Sequence, residues 1–253
     1  MNAQIKWMKN FLVCCRPFYF MHPAQRWRSY SVYTNHRIGI NHEYKFIYIR
    51  IPKNASTVIS LSFHHNITGH KLSSASEAKK TIFDTPTSLG FSSVKRVMKD
   101  YYKFAFVRDP FSRILSAYLN KIRMREDTRK AKYKRMIQKR LALMPGQDIS
   151  FPDFICYLDK GGLLDDPHWI PQSYYIDIIG QSNLDFIGKI ESLSKDMKNL
   201  YTLIFGENNF TLPDFSKKVT NAKNQLNIYY SQKEIDIVQR LYKRDLEIFH
   251  SVK

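Results

Sequence analysis

The sequence predicts an α/β fold with a mainly parallel central sheet flanked by helices. Three runs, at residues 44–51, 103–108 and 184–191, are rich in β-branched and aromatic side chains and have the length of strands. A segment with helical spacing of apolar residues follows each run. Strands that alternate with helices pair in parallel, because the helix carries the chain back across the sheet.

The length of the chain, 253 residues, suffices for one such domain with a full hydrophobic core. We predict a basic N-terminal extension at residues 1–40 and a single domain at residues 41–253. Within that domain, a basic helical insertion is expected at residues 123–145. No internal repeat or low-complexity tract interrupts this organisation.

The first strand-to-helix junction has the features of an anion site. Pro52 ends the strand, since proline holds the residue before it extended. Residues 53–57, with the sequence KNAST, then lead into a helix, whose first N–H groups and dipole favour negative charge. Lys53 adds a mobile positive charge to these groups. An ordinary turn with Ser56 as the N-cap residue is the alternative interpretation.

This junction does not match a nucleoside-triphosphate loop of the form G-x-x-x-x-G-K-[ST]. The segment contains no glycine, and its lysine is separated from the hydroxyl residues. Beyond the first helix, residues 71–80 are rich in serine and lysine, and we predict a polar loop there.

The second junction places an arginine at a strand end. Arg108 follows the apolar run, Asp109 is a good N-cap residue and Pro110 suits the first helical position. Arg113 and Ser116, three residues apart, are expected on a face that reaches back toward the strand end. An ion pair between Arg108 and Asp109 is the structural alternative. The apolar stripe of this helix comprises Phe111, Ile114, Leu115, Tyr118, Leu119 and Ile122.

The predicted insertion concentrates basic charge. Between residues 123 and 140 only Glu126 and Asp127 are acidic, so this segment either borders an acceptor cleft or forms a solvated helix. Its basic residues are Arg123, Arg125, Arg129, Lys130, Lys132, Lys134, Arg135, Lys139 and Arg140.

Three helices are predicted in the C-terminal half. The first begins near residues 150–154 and ends at Gly161 and Gly162, and the second runs from Ser192 or Ser194 to Phe205 with Gly206 as its stop. Ser231 and Glu234 have the spacing of a capping box that opens the third. The apolar stripe of this last helix comprises Ile235, Val238, Tyr242, Leu246 and Phe249.

The two junctions resemble a known enzyme family. Residues 51–57 (IPKNAST) and 106–118 (FVRDPFSRILSAY) resemble the 5′-phosphosulfate loop and the 3′-phosphate motif of sulfotransferases that use 3′-phosphoadenosine 5′-phosphosulfate (PAPS). Residues 166–172 (DPHWIPQ) and 184–193 (LDFIGKIESL) resemble two further segments of that family. The resemblance is to the Golgi carbohydrate sulfotransferases of chondroitin and dermatan, in a short bacterial-type form.

The resemblance implies a P-loop-like architecture, shared with nucleotide kinases, and one sulfotransferase domain at residues 41–253. It implies transfer of a sulfuryl group from PAPS to a hydroxyl of a carbohydrate, which leaves adenosine 3′,5′-bisphosphate. Lys53 is then the counter-charge to the leaving phosphate, so catalysis requires no metal. The implied nucleotide contacts are Lys53, Asn54, Ala55, Ser56 and Thr57 at the 5′ end and Arg108 and Ser116 at the 3′-phosphate.

Transfer to a hydroxyl also needs a general base. His168, within the D-x-H-W segment, is our first candidate, although a histidine beside a tryptophan is often simply packed. His65, in the helix after the first loop, is the second candidate. Glu191 follows a predicted strand and either orients substrate or a basic side chain, or is a solvated residue at the strand end.

Composition indicates the class of partner. The chain has 40 basic and 22 acidic residues, a formal net charge of +18, which attracts polyanions and favours an acidic carbohydrate acceptor. A non-enzymatic protein that binds polyanions or nucleic acid is one alternative, but it leaves Lys53 and Arg108 at strand ends unexplained. A nucleotide kinase is the other, but no acidic pair for magnesium stands at a strand end. We therefore expect no nucleic-acid partner.

The cysteines and the N-terminus suggest a location. Cys14, Cys15 and Cys156 form neither a disulfide framework nor a zinc cluster, which fits a reducing compartment. The apolar segment at residues 11–15 is too short for a transmembrane helix or a signal peptide. We expect a cytoplasmic enzyme with no metal site, whose basic and aromatic N-terminus permits peripheral membrane contact.

Overall fold

A computed structural model describes residues 8, 11–21, 35–72, 74–123, 128–206 and 222–252 of the chain. It divides into two compact units. The first unit comprises Met1–Val107 with Gln172–Asp214, and the second comprises Arg108–Pro171 with Phe215–Lys253. Most of the predicted N-terminal extension lies outside the described residues. Among the residues that are described, no helix has both the length and the hydropathy needed to cross a membrane.

The first unit is built on a mixed sheet of four strands within the described residues. The strands are β1 (Ile38–Asn41), β2 (Phe46–Ile49), β3 (Tyr102–Val107) and β4 (Phe186–Lys189), side by side in chain order. β2, β3 and β4 run parallel, and β1 pairs antiparallel with β2 at one edge. The predicted α/β fold with a mainly parallel sheet is therefore confirmed, and the antiparallel strand β1 is an addition.

Helices flank this sheet. They are α1 (Pro17–Met21), α2 (Ser56–Thr68), α3 (Ala75–Ile82), α4 (Phe91–Asp100), α8 (Ser173–Ile176) and α9 (Leu193–Phe205). The intervening numbers, α5 to α7, belong to the second unit. The helix predicted to end at Phe205 is confirmed, and Gly206 closes it in the left-handed conformation at a φ of 71°.

Aromatic side chains form the core of the first unit. Phe104 of β3 stacks on Tyr48 of β2, with ring centroids 4.8 Å apart and planes 9° from parallel. Strand β4 approaches β3 so closely that a Cβ atom on Gly188 would lie 2.5 Å from the ring of Phe106. A glycine is therefore required where the third parallel strand joins the sheet.

One prediction in this unit is wrong. The polar loop predicted at residues 71–80 does not extend past Ser74, because α3 begins there and the side chain of Ser74 accepts a hydrogen bond from the amide of Glu77 at 3.4 Å. Ala78 and Ile82, four residues apart, are both buried. This short apolar face is hidden in the sequence by the serines and lysines around it.

The second unit is helical in its described residues. It contains α5 (Pro110–Tyr118), a π-helical turn (Leu119–Arg123), α6 (Thr128–Leu141), α7 (Phe151–Asp159), α10 (Leu226–Tyr229), α11 (Gln232–Leu241) and α12 (Lys243–Ser251). The predicted apolar stripe of α5 enters its core, and Phe111 packs against that core. α6 lies within the predicted basic insertion, but residues 124–127 of that insertion lie outside the described part of the chain.

Helix boundaries in this unit test the predicted caps. Asp109 accepts a hydrogen bond from the amide of Ser112 at 2.8 Å, as expected of the N-cap of α5. The capping box of Ser231 and Glu234 is also present. The single helix predicted after it is wrong: Tyr242, with φ of −114° and ψ of 24°, separates α11 from α12. The tyrosine hydroxyl donates to the backbone oxygen of Trp169 at 2.6 Å.

Candidate functional site

The loop between β2 and α2 has the backbone of an anion-binding turn. Lys53 and Ala55 both adopt positive φ angles, 70° and 49°, which are uncommon outside glycine. The first hydrogen bond of α2 joins the amide of Ile59 to the oxygen of Ala55 at 3.0 Å. The amides of Ser56, Thr57 and Val58 thus precede the helical bonding pattern, at the positive end of the helix dipole. Left-handed residues ahead of such amides form a concave anion site.

Ala55, rather than Ser56, occupies the N-cap position of α2, and it makes no side-chain capping bond. Ser56 is 8% exposed, and its backbone oxygen accepts from the hydroxyl of Ser60 at 2.7 Å. Lys53 and Thr57 are both half-buried. The alternative of an ordinary turn capped by Ser56 therefore does not describe this loop.

Asn54 fixes the loop to the sheet. Its side-chain amide donates to the backbone oxygen of Phe106 at 2.8 Å and to Oε1 of Gln172 at 2.5 Å. Only 1% of the residue is exposed. Its Oδ1 is buried and accepts no hydrogen bond from any described residue. Since a carbonyl oxygen cannot donate to a phosphate, Asn54 acts here as an anchor, and its direct contact with a nucleotide stays a prediction.

In the second unit, Arg108 is oriented by a serine that the sequence analysis did not single out. The Nε of Arg108 donates to the hydroxyl of Ser112 at 3.1 Å, and that hydroxyl donates to the backbone oxygen of Asp109 at 3.1 Å. The spacing of four residues between Arg108 and Ser112 is the signal that could have identified this contact. Ser116 lies one turn further along α5 and is 3% exposed.

Arg113 lies in the interior of the second unit. It is completely buried, and its Nη2 donates to the backbone oxygen of Ile170 at 3.0 Å. The adjacent Trp169 is also fully buried and donates from Nε1 to the oxygen of Gly162 at 2.9 Å. Together with the contact from Tyr242, these bonds hold the backbone of the segment that carries His168.

His168 is bound to a carboxylate two residues before it. Oδ1 of Asp166 lies 3.0 Å from the amide nitrogen of His168 and 2.5 Å from its Nδ1, while Oδ2 accepts from the hydroxyl of Tyr133 at 3.1 Å. Burial alone would raise the pKa of Asp166, but the contacts with His168 and Tyr133 outweigh it and lower that pKa. A carboxylate only accepts hydrogen bonds, so Nδ1 is the donor and Nε2 is the nitrogen that can take up a proton.

The other two candidate residues are placed less favourably. His65 lies in the last turn of α2, nine residues after Ser56, so a rise of about 1.5 Å per residue puts it about 13 Å along the helix from the loop. Its Nδ1 is buried without a hydrogen-bond partner in the described part of the chain. Glu191 is exposed in a 3₁₀ turn (Ile190–Ser192) after β4. No cluster of three or more His, Cys, Asp or Glu side chains suited to a metal occurs among the described residues.

Comparison with known proteins identifies the family to which this chain is similar. The model of the family described as "Sulfotransferase family" matches residues 36–250. Carbohydrate sulfotransferase 11 of Danio rerio is 28% identical to this chain over 234 residues, which cover 83% of the chain and 66% of that protein. The same-named protein of Rattus norvegicus is 25% identical over 222 residues, 81% of the chain and 63% of its own length.

A shorter alignment is closer in sequence. Carbohydrate sulfotransferase 14 of Mus musculus is 36% identical over 104 residues, 39% of this chain and 27% of that protein. The chain thus spans less than two thirds of the length of these curated relatives. No solved structure matches it.

Proposed function

Because this chain belongs to the sulfotransferase family, we propose that it transfers a sulfuryl group from PAPS to a hydroxyl of a carbohydrate. The names of its relatives supply the class of acceptor. The family supplies the donor. The chain's own residues supply the arguments for where the donor binds and how the acceptor is activated.

The single observation that carries the proposal is the backbone of the loop before α2. Left-handed Lys53 and Ala55 direct the chain so that the first amides of an α-helix meet beside a lysine. This combination fits the 5′ end of PAPS, whose phosphosulfate is anionic and needs donors rather than acceptors. Ser56 and Thr57 add hydroxyl donors at the same helix end.

PAPS, when bound, supplies a sulfuryl group on a phosphate leaving group. We assign Lys53 to the charge that develops on this phosphate, since a lysine is a mobile point charge that can follow it. We assign Arg108, oriented by Ser112, to the 3′-phosphate. Ser116 remains a proposed contact of the same phosphate. The assignment rests on motif resemblance for Arg108 and Ser116, and on the loop geometry for Lys53.

We assign the role of general base to His168. Asp166 holds Nδ1, so Nε2 can accept the proton that leaves the acceptor hydroxyl. The side chain of His168 is 22% exposed, whereas that of Asp166 is 12% exposed. Asp166 is thus a positioning residue and His168 the proposed catalytic one.

We further propose an acidic acceptor. The formal charge of +18 favours polyanions, and part of it lies on α6. Lys132, Arg135 and Lys139 of this helix are exposed, and none of them forms an ion pair with another described residue. By contrast, Lys134 and Arg140 pair with Asp148 and Asp165.

Calorimetric titration of the protein with adenosine 3′,5′-bisphosphate tests the donor site, with ATP as the control ligand. We expect Arg108→Ala to weaken binding about ten- to a hundredfold, because a charge-assisted hydrogen bond contributes about 1.5–3 kcal/mol. Lys53→Ala should retain much of the affinity but abolish transfer from PAPS to an acidic glycan such as chondroitin. Equal affinity for ATP, or unchanged affinity in Arg108→Ala, would contradict the proposed site.

Raised salt separates this function from the alternative of general polyanion binding. Binding to a phosphate backbone weakens steeply with salt through counterion release. Binding of one small nucleotide in a shaped site should be much less affected. The non-enzymatic alternative would be favoured if nucleotide binding were lost at high salt and if, at low salt, the protein bound different polyanions with similar affinity.

A further inference from the structure

A second group of cations lies in the first unit, beside the loop that carries Lys53. Arg50 directly follows β2, three residues before Lys53, and is only 4% exposed. Its amide donates to the backbone oxygen of Arg37 at 2.7 Å, and its Nη2 donates to the backbone oxygen of His36 at 2.8 Å. Its guanidinium carbon lies 5.0 Å from the ring centroid of Phe83. These contacts fix the guanidinium without neutralising it.

The charge of Arg50 is uncompensated within the described residues. Its Nε is buried and has no hydrogen-bond partner there. In the same part of the chain, no carboxylate lies within ion-pair distance of Arg37, Arg50 or Lys79. The acidic residue next to Phe83, Asp84, instead contacts Nε2 of His42 at 3.4 Å.

Arg37, Arg50 and Lys79 act on one another, and we call them the Arg50 cluster. Burial, together with repulsion from Arg50 and Arg37, lowers the pKa of Lys79 to about 8. The pKa of Arg50 is lowered to about 10, mainly by burial and in smaller part by repulsion from Arg37. His36 responds likewise: burial and the same two arginines lower its pKa.

An arrangement of this kind costs free energy in the protein alone. A buried charge is destabilising unless it is paired, and like charges that share a site repel one another. An anion placed among the three cations would remove both penalties. The cluster therefore has the electrostatics of an anion site whose ligand comes from outside the described chain.

The place of the cluster indicates which anion it receives. Arg50 pairs through its backbone with Arg37, next to β1, whereas Asn54 binds the loop to Phe106 of β3. The cluster thus lies on the β1 flank of the loop. The two anionic ends of PAPS are already assigned, to the start of α2 and to Arg108. A third anionic group near Lys53 therefore belongs to the acceptor.

We propose that the Arg50 cluster binds an anionic substituent of the carbohydrate acceptor, a carboxylate or a sulfate ester, and so directs the adjacent hydroxyl toward the donor. This inference rests on the proposed function and extends it with a subsite in the first unit. Substrate selection would then depend on three cations beside the loop that carries Lys53, in addition to the basic surface of α6.

Calorimetry with a defined oligosaccharide tests the subsite. The full-length protein is titrated with a chondroitin hexasaccharide, which carries uronate carboxylates, with and without saturating adenosine 3′,5′-bisphosphate. The variants are Lys79→Ala and Arg37→Ala, both at half-buried positions that tolerate truncation better than Arg50. Lys95→Ala, at an exposed position on α4, is the control with the same change in net charge. We expect a dissociation constant at least tenfold higher in each cluster variant and within twofold of wild type in the control.

Two further ligands identify the source of the anion. A hexasaccharide whose carboxyl groups are reduced to alcohols should bind weakly and equally to all variants. An O-sulfated form of that reduced sugar shows whether a sulfate ester alone is enough for binding to the Arg50 cluster. The subsite is overturned if Lys95→Ala weakens binding as much as Lys79→Ala, or if no hexasaccharide binds. The Arg50 cluster belongs to the donor site instead if its variants no longer bind adenosine 3′,5′-bisphosphate but bind the hexasaccharide as the wild type does. Failure of the proposed function appears separately, as absent nucleotide binding in the wild type.

Discussion

Oδ1 of Asp166 lies 2.5 Å from Nδ1 of His168, and the same oxygen accepts from the histidine's own amide at 3.0 Å. A single carboxylate oxygen thereby fixes both the backbone and the ring of the residue to which we assign proton removal. The other carboxylate oxygen is held by Tyr133, so the aspartate itself is oriented from α6. The position of His168 therefore depends both on the nearby Asp166 and on the packing of α6, which orients Asp166.

The catalytic prediction follows from this pair. We expect His168→Ala to lower kcat by about two to four orders of magnitude, the usual contribution of a general base, with unchanged affinity for adenosine 3′,5′-bisphosphate. Asp166→Asn should lower kcat more than it changes KM, and it should move the acid limb of the pH–rate profile. A purely structural aspartate would instead lower the rate by the same factor at every pH. Steady-state rates from about pH 5 to pH 9 distinguish the two results.

Asp166 also predicts a change in stability at acid pH. Its pKa in the folded protein is lowered from the ordinary value of 3.8, so its contribution to stability is present above that value and is lost as pH falls through the lower, folded value. Asp166→Asn should therefore be less stable than wild type near neutrality, by about 1.5–3 kcal/mol for hydrogen bonds to a charged group. Urea unfolding at several pH values measures this gap. A gap that stays constant down to the most acid pH would refute the assignment.

Ala55 tests the backbone of the anion loop. At a φ of 49° an L-residue is strained by about 1–2 kcal/mol, and glycine is not. Ala55→Gly should therefore preserve nucleotide affinity and leave the free energy of unfolding within about 1 kcal/mol of wild type. Ala55→Val should weaken both, because a β-branched residue is disfavoured in this conformation. Calorimetry and urea unfolding of the two variants are the measurements, and wild-type behaviour of the valine variant would contradict the geometry.

The Arg50 cluster predicts a second rise of stability with pH, in the alkaline range. Lys79 has a folded pKa of about 8, below its ordinary value of 10.5, so the unfolded chain binds more protons between these values. Stability then rises with pH across that window. Relative to Lys79→Met, the wild type should gain stability as the buffer is changed from about pH 7 to about pH 9.5. Parallel pH dependence of the two proteins would show that Lys79 titrates normally.

The three parallel strands and the ends of several elements were predictable from the sequence, because residues close together in the chain determine them. β-branched and aromatic runs define β2, β3 and β4, and Pro52 and the Asp109–Pro110 pair end one element or begin the next. The errors arose where contacts between distant residues decide. β1, with the sequence IGIN, lacks such a run, and it pairs with the edge of β2.

The same division applies to the candidate site. Lys53, Arg108 and His168 were singled out from short motifs, since anions bind at helix ends and proton transfer needs an imidazole. The spacings of Asp166 to His168 and of Arg108 to Ser112 permit the contacts seen in the structure, but they do not specify them, because those contacts depend on side-chain directions. The motifs also give no hint of the Arg50 cluster.

The sequence by itself determined an α/β fold, its three parallel strands, the loop that leads into α2 and the family, because each rests on residues close together in the chain. Tertiary structure alone decided the break at Tyr242, where a hydroxyl satisfies the backbone oxygen of Trp169, and the burial of Arg113. It also decided that Arg37 and Arg50 lie close enough to Lys79 to lower its pKa, and that none of the three forms an ion pair with a described carboxylate. Long-range electrostatics and buried hydrogen bonds depend on which elements pack together, and a linear pattern of residues does not specify that.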